Sequence, residues 1–273
     1  MDRRVNVHRM TAAAAFSERV SVLGQRGTAF ARESLRHPAW AYFRALARIE
    51  ERLRRTPRTL LDAGTFPRVE LETALKRLGV DAGLIEEGHA YLDARGETAS
   101  AIPSVFDASP ALRLLSYCLV RKRQPAHVVE VGVARGATTT AILAALERNG
   151  RGHLTSVELP SLAPRHREQA GILVPDALRP RWRLVLGPSQ IALGSLAQYG
   201  APPGVFVHDG SHAYHVQRGD LRKAVRHLAH DAIVVMDDVG SDAFLEVLRT
   251  DHDITLVDQG KQDPLGIAVR RAR

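Results

Sequence analysis

The stretch Val128–Thr140, which reads VVEVGVARGATTT, constrains the fold of this chain more than any other. A β-branched run is followed by two glycines, three threonines and an alanine-rich segment, which predicts a strand, a tight turn and the start of a helix. Gly132 and Gly136 lack a Cβ atom, so the backbone can adopt positive φ there and approach a ligand closely. The dinucleotide pattern G-x-G-x-x-G and the phosphate-loop pattern G-K-[ST] are both absent. We therefore interpret residues 132–136, the glycine turn, as a binding turn for another kind of cofactor.

Length and composition limit the possible classes of protein. The 273 residues can form one α/β domain with an accessory segment. No apolar run reaches the roughly 18 residues that cross a membrane, and the N-terminus has no convincing cleavage site for a signal peptide. We therefore expect a cytoplasmic protein with no membrane partner. The single cysteine, Cys118, lies in the apolar run LRLLSYCLV, which predicts a buried, unreactive thiol.

The net charge of +8 and the pI of about 10.2 suggest nucleic acid as a possible partner. The arginines, however, are scattered over predicted helices among alanines and leucines. They rarely alternate with aromatic residues, as a surface for stacking bases would require. A noncatalytic nucleic-acid-binding protein is therefore the least favoured function, and anionic substrates stay compatible with the charge.

The first 106 residues predict an α-helical N-terminal segment. Residues 11–55 are helical in pattern, and two further helices are predicted to end at Gly79 and Gly96, before an extended connector over 97–107. One face of the longest helix is predicted to be core, from apolar residues at three- and four-residue spacing: Trp40, Phe43, Leu46, Ile49 and Leu53. The segment could cap a substrate, form a homo-oligomer or simply pack against the rest, and the sequence leaves these alternatives open.

Residues 107–273 predict a Rossmann-like α/β domain. After a helix over Ser109–Arg123, strand-like and helix-like stretches alternate, which is typical of a doubly wound, mostly parallel sheet. The last two strand-like stretches, DITLVD and LGIAVRR, are joined by QGKQDP, which is too short for a crossover helix. We therefore expect a C-terminal antiparallel hairpin.

Polar residues stand where several predicted strands end, and in a parallel sheet these ends meet at one edge, where ligands bind. Glu158 closes the strand HLTSVE, and an acidic residue there can accept hydrogen bonds from both hydroxyls of a ribose. Ser189 and Gln190 follow the next strand at the start of a helix. Either could be only a cap on that helix. The phrase LGPSQIAL also resembles the G-x-S-Q turn of catechol O-methyltransferases, and this resemblance implies that the pair contacts the adenine of a cofactor.

Three carboxylates follow the fourth and fifth strands of the domain: Asp209, Asp237 and Asp238. Gathered at one edge, they would repel one another and raise one another's pKa unless a cation neutralised them. Oxygen ligands favour a hard ion such as Mg²⁺. Three nearby histidines make zinc a minor alternative: His208, His212 and His215. Aspartates are also common at strand ends, so a site without metal stays open.

Two sets of residues resemble known enzymes. The pattern E-x-G-x-x-x-G-x-T over 130–138 resembles the first motif of class I S-adenosylmethionine-dependent methyltransferases. The stretches VHDGSHAYHVQRGDL and AIVVMDDV resemble the D-G-x-H-x-Y and D-D blocks of metal-dependent macrolide-sugar O-methyltransferases and, more distantly, of catechol O-methyltransferases. The catechol enzymes have Asn in place of Asp238 and Lys in place of His212, which favours the sugar-type group. The resemblance covers residues 111–270.

This resemblance implies S-adenosylmethionine as the cofactor and Mg²⁺ or a similar divalent ion as the metal. The cofactor positions that match are Glu130, Gly132, Gly136, Thr138, Glu158, Ser189 and Gln190, and the metal positions are Asp209, Asp237 and Asp238. We predict His212 as the general base, because an imidazole with a pKa near 6.5 can accept a proton at neutral pH. The alternative for His212 is a cap on the helix that begins near Tyr214.

The sequence as a whole therefore predicts a metal-assisted O-methyltransferase. Its acceptor would be a hydroxyl of a sugar or of a specialised small metabolite. A metal-independent small-molecule methyltransferase is the alternative.

Overall fold

The computed structural model describes residues 32, 34–53, 56–94, 107–160 and 168–271. The predictions of a helix over residues 11–31, of a helix end at Gly96 and of a connector over 97–106 lie outside these residues.

One mixed sheet organises the described part of the chain. Its strands are β1 (Arg68–Val69), β2 (His127–Val131), β3 (His153–Glu158), β4 (Trp182–Leu186), β5 (Val205–His208), β6 (Ile233–Met236), β7 (His252–Val257) and β8 (Leu265–Arg270). Their order is β1-β7-β8-β6-β5-β2-β3-β4. β8 pairs antiparallel with β6 and with β7, and the other pairs are parallel. The predicted Rossmann-like fold with a C-terminal antiparallel hairpin is confirmed.

Helices connect the strands. They are α1 (Pro38–Leu53), α2 (Thr59–Asp62), α3 (Leu71–Arg77), α4 (Ala82–Asp93), α5 (Pro110–Arg123), α6 (Ala137–Arg148), α7 (Ser189–Leu193), α8 (Tyr214–Ala224) and α9 (Ala243–Leu248), with 3-10 turns at Asp176–Arg181 and Leu196–Tyr199. Helix α5 begins as the sequence predicts, because Ser109 Oγ accepts a hydrogen bond from the backbone N–H of Leu112 at 3.1 Å.

Apolar residues of both sheet faces are buried under helices. Alternate residues of β5 point to opposite sides, so Val205 and Val207 join one apolar cluster and Phe206 joins the other. The first cluster contains residues of α3 to α6, and the second contains residues of α7, α8 and α9. A sheet covered on both faces leaves the edge formed by the strand ends as the place for a site.

The strand order reverses between β2 and β5, because β3 and β4 lie on one side of β2 while β5 and β6 lie on the other. The carboxyl ends of these two strands come very close. A Cβ atom on Gly132, whose φ is +91°, would lie only 2.0 Å from the backbone oxygen of Asp209. Gly132 is thus required by the crossing of two backbone segments, and this crevice is the expected binding place in a doubly wound sheet.

Helix α1 differs from its prediction as a core helix. Ile49 is 54% exposed and Leu46 is 39% exposed, so the prediction of a core face is wrong for these two residues. The reason is that α1 contacts the carboxyl edge of the sheet and the start of α8 through polar side chains, described below, instead of packing on a sheet face. None of the helices in the described ranges has the length and hydrophobicity needed to cross a bilayer.

Candidate active site

A cavity of about 590 Å³ lies at the carboxyl edge of the sheet, over the point where the strand order reverses. This volume is in the range of small-molecule sites, about 300–1,000 Å³. Its wall combines the glycine turn, the ends of β3, β5 and β6, the start of α7, the loop between β7 and β8, and helix α1. The predicted site residues in this wall are Gly132, Glu158, Ser189, Asp209, His212, Asp237 and Asp238.

Glu158 holds the glycine turn in place. Its Oε2 accepts hydrogen bonds from the backbone N–H groups of Val133 at 2.7 Å and Ala134 at 3.2 Å. Burial raises the pKa of Glu158, although these two donors and the guanidinium of Arg44 oppose that shift. One carboxylate oxygen therefore fixes the turn, which leaves Oε1 to accept hydrogen bonds from a ligand.

Glu130 lies beneath the turn and not in the cavity wall. It is fully buried and accepts hydrogen bonds from Thr139 Oγ1 at 2.8 Å and Ser156 Oγ at 2.6 Å. Burial raises its pKa to about 8, although both hydroxyls favour the ionised form. The structure thus places Glu130 as a support of the glycine turn.

Three other predicted cofactor residues also lie outside the cavity wall. A Cβ atom on Gly136, whose φ is +92°, would lie 2.9 Å from Gly171 Cα, so this glycine permits close packing of two loops. Thr138 Oγ1 donates to Asp209 Oδ2 at 3.4 Å. Gln190 packs its amide against Gly219, where an added Cβ would lie 2.8 Å from Nε2. These three residues therefore lie outside the cavity wall and pack against residues that support it.

The three predicted metal residues all line the cavity. Asp209 and Asp237 contact each other, and burial together with the charge of Asp237 raises the pKa of Asp209 well above its ordinary value. Asp238 adopts φ +43° and accepts a hydrogen bond from Gln259 Nε2 at 2.8 Å. In the described ranges, no group of three or more His, Cys, Asp or Glu side chains is arranged to hold a metal ion.

A lysine that the sequence reasoning missed lies among these carboxylates. Lys261 Nζ is 3.5 Å from Asp237 Oδ2 and 3.3 Å from Asp238 Oδ1. Partial burial opposes its charge, but the two carboxylates raise the pKa of Lys261. Lys261 lies in the QGKQDP loop, which follows β7. Its place just after a strand is the sequence feature that could have identified it as a site residue.

The three neighbouring histidines have separate surroundings, which does not match the zinc alternative. His212 is exposed at the cavity, while His208 is buried and contacts Asp220. His212 does not cap α8, because the first N–H groups of that helix, from Tyr214 and His215, donate to Glu50 of α1. The side chain of His212 is therefore available to a ligand.

Helix α1 closes one side of the cavity, and two of the side chains that do so, Arg44 and Glu50, were not predicted as site residues. Arg44 donates to the backbone oxygens of Leu159 and Pro160, directly after β3. Glu50 accepts from the start of α8, as described above, and Phe43 adds an apolar wall. The three- and four-residue spacing of apolar residues in α1 does not predict this role, because polar side chains hold the helix against the site.

Comparisons with known proteins agree with this geometry. The model of a family described as a methyltransferase domain matches residues 129–239, which contain the glycine turn and the ends of β3, β5 and β6. An O-methyltransferase from Bacillus cereus in complex with SAH matches with a TM-score of 0.53 at 16% identity, over 70% of this chain and 92% of that chain. Cofactor-bound Rv0187 from MTB matches with a TM-score of 0.51 at 20% identity, over 71% of this chain and 92% of that chain. No curated protein matches the chain in sequence.

At these identities the solved structures establish the fold, and the family model adds the sequence evidence across the site. The predicted enzyme class, an S-adenosylmethionine-dependent methyltransferase, is confirmed.

Proposed function

We propose that this methyltransferase transfers the methyl group of S-adenosylmethionine to a hydroxyl oxygen of a small molecule. The observation that carries the proposal is that the wall of one cavity contains Gly132 and Glu158 together with Asp209, His212 and Asp237. The matched Bacillus cereus protein is described as an O-methyltransferase in complex with SAH, which supports this cofactor and this reaction type.

In the proposed binding mode, Oε1 of Glu158 accepts hydrogen bonds from the ribose hydroxyls of the cofactor. The glycine turn lies under the methionine portion, where the absence of a side chain at Gly132 lets a ligand approach the backbone. Predicted residues outside the cavity wall support this mode indirectly by shaping the turn: Glu130, Gly136 and Thr138.

The reaction that this site supports is an in-line displacement. The acceptor oxygen attacks the methyl carbon, the new C–O bond forms, and the C–S bond breaks with its electron pair remaining on sulfur. The hydroxyl proton passes to His212, whose exposed imidazole lies at the cavity. Holding both reactants in one cavity supplies proximity, which is a major part of catalysis in such transfers.

The charges at the acceptor end favour the metal-independent form of the mechanism. Asp209 and Asp237 contact each other, and burial together with the charge of Asp237 raises the pKa of Asp209. Lys261 provides a positive charge beside Asp237 and Asp238. In this form Lys261 stabilises the negative charge that develops on the acceptor oxygen.

The predicted metal-assisted form stays a prediction. Asp237 Oδ1 is buried without a hydrogen-bond partner in the described part of the chain, which is compatible with a cation. The arrangement of Asp209, Asp237 and Asp238 nevertheless does not fit a three-carboxylate ion site, and we derive no step through a metal.

We also propose the acceptor class that the sequence suggests, a hydroxyl of a sugar or of a specialised small metabolite. The support for it is the resemblance of the stretches around Asp209 and Asp237 to the sugar-type enzymes.

The N-terminal residues are proposed as a helical segment, 1–106, that precedes a methyltransferase domain over 107–273. The exposed apolar residues of this segment support a homo-oligomer: Leu35, Tyr42, Leu46 and Ile49. Sedimentation of the wild type and of Ile49→Glu tests this, since a dimer formed through α1 would dissociate in the variant.

Calorimetric titration with S-adenosylhomocysteine tests the cofactor site. We expect binding by the wild type and an affinity at least about 10-fold lower for Glu158→Ala, because hydrogen bonds to charged groups contribute about 1.5–3 kcal/mol. Glu72→Ala, on the exposed surface of α3, is the control and should bind normally. Absence of binding by the wild type would contradict the proposed function.

Methyl transfer from labelled S-adenosylmethionine to a panel of hydroxylated sugars and phenols, with and without EDTA, tests the mechanism. We expect transfer that survives EDTA and decreases in Lys261→Met. Complete loss with EDTA and recovery with Mg²⁺ would establish the metal-assisted form instead.

A further inference from the structure

Two arginines of α1, Arg44 and Arg48, line the cavity. Residues four positions apart are neighbours on one face of a helix, and like charges at this spacing repel each other. Burial lowers the pKa of Arg44, Glu158 opposes this shift, and the charge of Arg48 lowers the pKa further. Helix α1 thus presents an unfavourable pair of positive charges to the cavity, and a bound anion would relieve their repulsion.

The arginines and the lysine of the cavity wall differ in how their charges are compensated. Arg44 donates to two backbone oxygens after β3 and is attracted by the charge of Glu158. Lys261 lies within 3.5 Å of two aspartate side chains. Arg48 is exposed, and within the described ranges it forms no hydrogen bond or ion pair through its side chain. Its charge is therefore available to a ligand in the cavity.

The position of Arg48 along α1 places it toward the proposed acceptor. Arg44 contacts the chain directly after β3, where the ribose is proposed, and Glu50 contacts the start of α8. With a rise of about 1.5 Å per residue, Arg48 lies about 6 Å along the helix axis from Arg44 and about 3 Å from Glu50. Helix α8 begins two residues after His212, which lines the same cavity. Arg48 is thus nearer to the His212 side than to the ribose side.

We propose that the methyl acceptor is a hydroxy acid and that the guanidinium of Arg48 binds its carboxylate while the hydroxyl group faces His212. The planar fork of N–H donors on a guanidinium matches the two oxygens of a carboxylate. One carboxylate also matches the single uncompensated charge of Arg48, whereas a phosphate would bring nearly two negative charges toward Asp209 and Asp237. This inference rests on the proposed function and narrows its acceptor class to compounds such as uronic acids and hydroxybenzoates.

The test compares each of two acids with its amide, since the two members of a pair differ in charge and hardly in shape. The pairs are glucuronate with glucuronamide and a dihydroxybenzoate with its amide. Calorimetric titration of the S-adenosylhomocysteine complex measures the dissociation constants for the wild type, Arg48→Gln and Arg48→Lys. Arg77→Gln is the matched control, because Arg77 is an exposed arginine of α3 outside the cavity wall. Circular dichroism checks that each variant folds.

We expect the wild type and Arg77→Gln to bind at least one of the acids about 10-fold more tightly than its amide. In Arg48→Gln this preference should fall below about threefold, because the positive charge is lost. Arg48→Lys should retain part of the preference, since the charge remains but the fork of donors does not. The preference of the wild type should also weaken as the salt concentration rises, because Arg48 is exposed. A purely structural role of Arg48 would change the affinities for acid and amide equally.

An unchanged preference for the acid in Arg48→Gln would overturn the inference. Equal affinity for acid and amide, or binding of neither acid, in a wild type that binds S-adenosylhomocysteine would also overturn it while leaving the proposed function intact. Failure of the wild type to bind S-adenosylhomocysteine would overturn both.

Discussion

A single residue, His212, is the proposed proton acceptor of the reaction. We predict that His212→Gln lowers the turnover number by on the order of 100-fold while the affinity for S-adenosylhomocysteine stays within about threefold, because a general base contributes about 10²–10⁴ to the rate. His215→Gln is the matched control, since His215 is the second residue of α8 and lies outside the cavity wall. Steady-state kinetics and calorimetry measure the two quantities, and near-normal turnover in His212→Gln would assign the proton to another group.

The buried carboxyl group of Glu130 makes the stability of the folded protein depend on pH. Its pKa is raised by burial from 4.5 to about 8 in the folded protein, so between these values the folded state binds more protons than the unfolded state. The free energy of unfolding therefore falls as the pH rises from about 4.5 to about 8. Each unit of pKa shift corresponds to about 1.4 kcal/mol, so this loss amounts to several kcal/mol.

We predict that Glu130→Gln removes this pH-dependent loss, because a neutral amide does not titrate. Urea unfolding at pH 5 and pH 8.5 should show the variant gaining stability relative to the wild type at the higher pH. Glu72→Gln, on the exposed surface of α3, controls for the removal of one carboxylate. A constant stability difference at both pH values would argue against a buried, protonated Glu130.

At the scale of secondary-structure elements, helix α1 covers one side of the cavity, and polar contacts hold it there. Arg44 donates to Leu159 and Pro160, next to the proposed ribose position, and Glu50 accepts from the start of α8. Few apolar contacts accompany them, since Leu46 and Ile49 face outward. The helix should therefore contribute more to ligand binding than to global stability.

We predict that Arg44→Ala lowers the affinity for S-adenosylhomocysteine about 10-fold and changes the melting temperature by less than about 2 °C, because the lost hydrogen bonds act at the cavity. Glu72→Ala, on the exposed surface of α3, is the control and should change neither quantity. Calorimetry and thermal unfolding make the comparison. A large drop in melting temperature with unchanged affinity would show that α1 is a structural helix.

At the scale of the whole molecule, residues before and after position 106 share one core. Leu75 of α3 and Ile85 of α4 belong to the same apolar cluster as Leu115 of α5 and Ile142 of α6. Strand β1 also extends the sheet by pairing with β7. Shared packing of this kind couples the unfolding of both parts.

We therefore predict a single cooperative unfolding transition, with coincident curves from far-UV circular dichroism and from the fluorescence of Trp40 and Trp182. Leu75→Ala should lower the midpoint of that one transition, because deleting a buried leucine side chain costs about 2–5 kcal/mol. Two separate transitions, with Leu75→Ala shifting only one, would instead support independent units divided near residue 106.

Much of the fold follows from the sequence because it depends on local patterns. Short β-branched runs and intervening helical periods predict β2 to β8, and the short QGKQDP loop predicts the antiparallel hairpin. The sequence does not predict β1, since two residues, Arg68 and Val69, contain no periodicity. Their strand exists only because β7 offers an edge to pair with.

Much of the candidate site also follows from the sequence, because strand ends in a parallel sheet meet at one edge. That rule is sufficient to group Glu158, Asp209 and Asp237, whose side chains do share a cavity. The rule does not predict the direction in which each side chain points. Glu130 and Gln190 stand at equally suggestive positions, yet one lies beneath the turn and the other packs against α8.

By itself, the sequence determined the fold class, the glycine turn and the candidate residues at the carboxyl edge, because spacing along the chain governs which residues a strand or helix presents. Only the tertiary structure decided that Lys261 lies among the aspartates, that Arg44 and Glu50 hold a cover in place, and that Asp220 directs the hydroxyl of Ser189. These contacts join segments far apart in the chain. Their geometry depends on how helices and loops pack in three dimensions, and no local pattern encodes that packing.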